Sequence, residues 1–152
     1  MPDYKNLLNK LRQINSSKLD SLFGSLHEKF FCDFDCLTCA NCCKHLGPRF
    51  NTHDIDKISH LLKIRSSDFI EKYLKIDEDG DYVFKNMPCP FLGEDNYCSV
   101  YDVRPKACKD YPHTNRKNIR GILELCNKNI KFCPAVEYVF KNLEIMRQQR
   151  KL

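Results

Sequence analysis

Residues 36–43 read CLTCANCC: Cys36, Cys39, Cys42 and Cys43 place four thiols within eight positions. Adjacent cysteines such as Cys42 and Cys43 cannot easily bridge each other, so a disulfide framework explains this stretch poorly. A two-residue spacing does suit several thiolates converging on one soft ion. Four more cysteines follow, Cys89, Cys98, Cys108 and Cys133, each set in turn-forming sequence. The stretch therefore predicts a fold organised around metal rather than around a large sheet.

Working outward, the 152 residues suffice for a modest core, and 42% hydrophobic with 30% charged residues fits a folded chain rather than a disordered one. The start, MPDYKNLLNKL, interrupts every apolar run with Asn or Lys, so no signal peptide is visible. No uncharged apolar stretch is long enough to span a bilayer. These features predict a cytoplasmic protein without membrane contact, in a compartment where clustered thiols bind metal rather than oxidise. The net charge of +5 is mild. Lys44, Arg49, Arg104, Lys106 and Lys109 all lie near cysteines in the sequence, where they can balance thiolate charge. That reading is simpler than nucleic-acid contact, which calls for a basic, aromatic-studded face.

Periodicity predicts a mainly α chain with little β. Leu7, Leu8, Leu11 and Ile14 recur at helical spacing, as do Leu19, Leu22, Phe23, Leu26 and Phe30, giving two helices or one broken near Asn15-Ser16-Ser17. Asn51 or Thr52 can cap a helix carrying Ile55, Ile58, Leu61 and Leu62, with Asp54 and Asp56 in its first turn. Ser66 or Ser67 starts a shorter helix through Phe69, Ile70, Tyr73 and Leu74. Glu78–Asp81 is a turn and Tyr82–Phe84 a short strand. Pro88 and Pro90 fix the backbone around Cys89, and Gly93–Asn96 is a turn that can fold Cys98 back towards it. Pro105 suits the first position of a helix carrying Cys108 one turn later, and Cys133-Pro134 opens a terminal helix through Val136, Val139, Phe140 and Leu143. We expect one compact domain overall, with an N-terminal helical arm over residues 1–31 and a cysteine-organised, metal-chelating domain over 32–152.

CLTCANCC, then PCPFL, then CSVYDVRPKACKDYP resemble the CxxCxxCC family of zinc- or iron-chelating domains (YkgJ-like proteins), to which a cysteine-cluster region of the flagellin lysine N-methylase FliB is related. The resemblance runs from about Cys36 to Cys133 and leaves the N-terminal helices outside it. It implies Cys36, Cys39, Cys42, Cys43, Cys89, Cys98, Cys108 and Cys133 as metal ligands, and names a metal-binding module more firmly than a reaction.

Eight thiolates suffice for two tetrahedral four-sulfur sites of zinc or iron, or for one iron–sulfur cubane and a second site. C-x-x-C-x-x-C with a remote Cys-Pro, at Cys89-Pro90 or Cys133-Pro134, also resembles part of a bacterial ferredoxin ligand run. Ferredoxins do not place a cysteine where Cys43 stands, directly after the third. Cys32-x-x-x-Cys36-x-x-Cys39 matches the radical-SAM spacing, but the chain is too short and too helical for the barrel that motif requires. Cys126 falls outside the family pattern and reads as a buried or free thiol. Cys32 reads as a small residue at the edge of the cluster or as a further ligand. His45 and His113 are spare nitrogen donors, whereas His27, His53 and His60 read as surface or core residues. Arg104 reads as a donor to the cluster sulfurs or as the partner of Asp102 or Asp110, and Tyr101 and Tyr111 as packing residues. Three functions follow from this: a metal-holding module, an iron–sulfur protein with redox activity or a part in protein modification, and a nucleic-acid-binding zinc module. The second lacks a visible S-adenosylmethionine loop or catalytic constellation, and the third lacks a zinc-finger Cys/His pattern. The first leads.

Overall fold

The computed structural model describes residues 3–152. In chain order its helices are α1 (Lys5–Gln13), α2 (Ser16–Phe31), α3 (Cys36–Cys39), α4 (Asn41–His45), α5 (Thr52–Leu62) and α6 (Ser66–Tyr73). Strands β1 (Leu74–Ile76) and β2 (Tyr82–Phe84) follow, then α7 (Lys106–Asp110), α8 (Leu123–Asn129) and α9 (Pro134–Gln148). The chain is mainly α with little β, as its periodicity predicts. Its contacts group it into two compact units, the segment up to Asp35 with Pro112–Leu152, and Cys36–Tyr111.

In the first unit the break between α1 and α2 falls at Asn15, whose side chain accepts hydrogen bonds from Ser17 N and Lys18 N. This N-cap satisfies two backbone donors that α2 leaves without intrahelical partners. Helices α1 and α2 both pack against α9. Tyr4 and Phe23 meet Phe140 edge-on, with ring centroids 5.4 and 6.1 Å away. Leu7, Leu11, Leu19, Phe23, Val136, Val139, Phe140 and Leu143 are buried, the stripe expected of amphipathic helices. Helix α8, which the periodicity did not announce, packs on α9, and Asp20 accepts from Asn118 N and Ile119 N to hold the 3-10 turn that leads into it.

His27, on α2, shares a 2.7 Å hydrogen bond with Thr114, which is fully buried. Burial holds the imidazole pKa below its ordinary value of 6.5, against the opposing pull of Glu28. Below pH 6.5 the unfolded chain therefore binds this proton more readily than the folded one. Stability should be fully present above that pH and fall as the pH drops through the folded value. His27→Gln should flatten this part of the pH dependence in urea unfolding followed by circular dichroism; an unchanged slope would contradict the assignment.

The second unit is built on Phe50, Ile55, Ile58, Phe69, Leu74, Phe84, Phe91 and Val100. Asn51 and Asp54 form a reciprocal capping box at the start of α5. The expected strand Tyr82–Phe84 is present and pairs antiparallel with β1, Leu74 opposite Phe84 and Ile76 opposite Tyr82. Leu74 was expected to end a helix. It lies instead in extended backbone at the start of β1, because pairing with β2 buries it beside Phe84 in this core. The Asp77 carboxylate accepts from Asp79 N and Asp81 N to shape the connecting turn, where Gly80 takes a φ of +82°. Cys89 and Cys98 pack against the aromatic core of this unit.

Candidate metal centre

The CLTCANCC stretch folds as two single-turn helices, α3 and α4, around Ala40. Ala40 N donates to Cys36 O and closes α3, and Lys44 N donates to Ala40 O and opens α4. Ala40 itself is buried in the left-handed region at φ +51°, and this reversal re-aims the chain between Cys39 and Cys42. A β-carbon in that region costs about 1–2 kcal/mol, and β-branching makes it worse. Ala40→Val should therefore be at least about 2 kcal/mol less stable than Ala40→Gly by chemical denaturation; equal stabilities would remove the strain from the account.

Cys42 and Cys43 are adjacent, with Sγ atoms 3.9 Å apart. Their hydrogen bond makes Cys42 the proton holder, its pKa raised, and lowers that of Cys43. Cys43 also acts on three thiols further along the chain. Its charge opposes ionisation of Cys89, Cys98 and Cys108, and Cys89 N donates to Cys43 O at 2.8 Å. The charge of Cys36 likewise acts on Cys42.

The loop that carries Cys89 and Cys98 is a tight hairpin. Gly93 N bonds to Tyr97 O, Leu92 bridges Cys98, and Ser99 N bonds to Phe91 O. A Cβ on Gly93 would stand 2.5 Å from Asp95 Oδ1, so a side chain there makes the Asp95 carboxylate turn away and give up its bond from Tyr97 N. The expected turn thus does return Cys98 towards Cys89. Asn96 donates to Thr38 O and ties the turn to α3. Burial raises all three outer thiols, Cys89 to about 11 and Cys108 to about 12.

Cys108 rides on α7. Pro105, expected at the first helical position, is instead the N-cap, with extended backbone. Arg104 does not pair with Asp102 or Asp110. Its guanidinium lies 3.8 Å from the centre of the Tyr101 ring and donates to Tyr101 O, while Asp110 takes Lys106. Stacking on an aromatic face competes well with an exposed ion pair. From there the Arg104 charge favours the thiolates of Cys98 and Cys108.

Six of the sequence-predicted ligands, Cys36, Cys42, Cys43, Cys89, Cys98 and Cys108, are thus linked by mutual charge effects within Cys36–Tyr111. Cys39 is half-buried on α3, among them in sequence. Cys133, the eighth, belongs to the other unit, buried at the N-cap of α9. Cys126 is fully buried there on α8, its pKa raised to about 12 by burial and with Cys133 among its electrostatic neighbours. Cys32 is exposed beyond the end of α2. His53 and His60 are exposed on α5, and His45 is exposed at the end of α4. Among the described residues no three Cys, His, Asp or Glu side chains are gathered into a ready-made coordination shell.

The donor set nevertheless fits a soft or borderline cation. Half-buried thiols that oppose one another's ionisation are relieved when they share a divalent ion. Sequence reasoning missed one residue of this region, Asp54. Its carboxylate is buried and accepts from Lys106 N, a link across 52 positions that no local pattern announces. Among the described residues no helix is long and apolar enough to cross a membrane.

The model of the CxxCxxCC family, described as "Putative zinc- or iron-chelating domain", matches residues 35–127. No solved structure matches the chain significantly.

Proposed function

Since the chain belongs to the CxxCxxCC family, we propose that it is a metal-holding module whose zinc or iron is bound by the thiols of Cys36, Cys39, Cys42, Cys43, Cys89, Cys98 and Cys108. The observation that carries this reading is Cys43, whose charge reaches Cys89 and Cys98 of the hairpin and Cys108 of α7. Cys133, expected as an eighth ligand from the resemblance, lies beyond the matched residues 35–127 and stays outside the proposed set. A ligand set made of thiolates fits a reducing, cytoplasmic setting. When bound, the ion supplies charge compensation and part of the folding energy of the segment. The chain's own residues hold the thiols. The aromatic core supports Cys89 and Cys98, the left-handed turn at Ala40 separates the two pairs of CLTCANCC, and Arg104 balances thiolate charge.

Anaerobic purification with elemental analysis and an acid-labile sulfide assay tests the reading. Zinc without sulfide means thiolate sites of a holding or structural kind. Iron with sulfide and broad absorption near 400 nm means a cluster, and redox chemistry or a part in protein modification moves to the front. Protein that is folded, metal-free and indifferent to added zinc or iron would end the proposal. Cys126→Ser is the internal control. It should leave the metal content unchanged, because that thiol lies on α8 outside the ligand set.

A further inference from the structure

Asp54 is the one buried charged side chain among the described residues, 2% exposed at the third position of α5. Burying a carboxylate is costly unless its oxygens are taken up by donors. One oxygen accepts from Asn51 N at 3.3 Å as half of the capping box. The other leaves α5 altogether and accepts from Lys106 N at 3.1 Å. Lys106 is the first residue of α7, a five-residue helix whose N-cap, Pro105, has no side chain able to cap it. So short a helix does not stand by itself. Cys108 lies two residues further along it, with its backbone N bonded to Pro105 O. The 3-10 turn Tyr101–Val103, just before Pro105, packs against α5 as well.

We propose that Asp54 is a positioning residue for the metal centre: its buried carboxylate caps α7 from the start of α5 and so sets the thiol of Cys108 among its neighbours. The inference rests on the metal-binding reading above and adds to it a residue that touches no metal. Each of its oxygens is taken up by a backbone N–H group, and the role assigned to it needs no contact with the ion.

The test is a cobalt(II) titration of reduced apoprotein without oxygen, read in the sulfur-to-cobalt charge-transfer band, whose intensity follows the number of bound thiolates. Asp54→Ala should lose the same part of that intensity as Cys108→Ser, with binding at least about tenfold weaker. The double variant should be no worse than Cys108→Ser alone. Should Asp54→Ala fail to fold, Lys106→Pro decides. It removes the donated N–H at a helix position where proline is accepted, together with the exposed ion pair to Asp110, and Pro105 already has the extended backbone that a following proline requires. Lys106→Pro should copy the loss, whereas Lys106→Ala, which keeps the N–H, should match the parent. Full parental intensity in folded Asp54→Ala or Lys106→Pro overturns the inference and leaves metal binding standing. Unchanged intensity in Cys108→Ser does the same. A parent that takes up no cobalt overturns both.

Discussion

Cys43→Ser is expected to weaken metal binding by more than about 100-fold. Even the partners that merely orient ligands are worth about 10–100-fold in affinity, so a ligand at the centre of the set must exceed them. Cys43 holds that place on several counts. It shares a proton with Cys42 at 3.9 Å, its charge acts on Cys89, Cys98 and Cys108, and its carbonyl accepts from Cys89 N. Serine keeps the backbone bond and the approximate size but removes the soft donor, so the variant separates ligation from folding of the loop. Competition against a chromophoric chelator measures the change. A loss below about tenfold would mean that Cys43 stands beside the metal without binding it.

Phe69→Ala is expected to cost about 3–5 kcal/mol of stability. Phe69 is fully buried, stacks parallel to Phe91 with centroids 6.2 Å apart, and also meets Phe50 and Tyr73. Its removal leaves a cavity in the core against which Cys89 and Cys98 pack. Added metal should recover part of the loss, because binding to the folded form alone raises the apparent melting temperature. Calorimetry with and without zinc measures both effects. A variant within about 1 kcal/mol of the parent would show that this core collapses around the gap.

Much of the local structure is legible from the residues. The Asn15 break, the Asn51 cap, the Gly93 turn and the start of the terminal helix at Pro134 are each set by side chains within a few positions. What was not legible depends on distant partners. Leu74 reads as the end of a helix until Phe84 pairs with it, and α8 is too short to show a period. Nothing in the spacing shows that α1 and α2 pack on α9, more than a hundred positions away. At the site, CLTCANCC and the downstream cysteines offer candidate donors, but their spacing does not single out Cys43, whose charge acts on Cys89, Cys98 and Cys108. Asp54 reads as an ordinary first-turn acid on α5 until Lys106 N is seen on its second oxygen.

The central claim is that sulfur from the Cys36–Tyr111 segment holds the metal. X-ray absorption at the zinc or iron edge of anaerobically purified protein measures that directly. The account predicts a shell of sulfur alone, at about 2.3 Å for zinc, which loses scatterers in Cys43→Ser. A shell dominated by nitrogen or oxygen at about 2.0–2.2 Å, unchanged in Cys43→Ser, would contradict it.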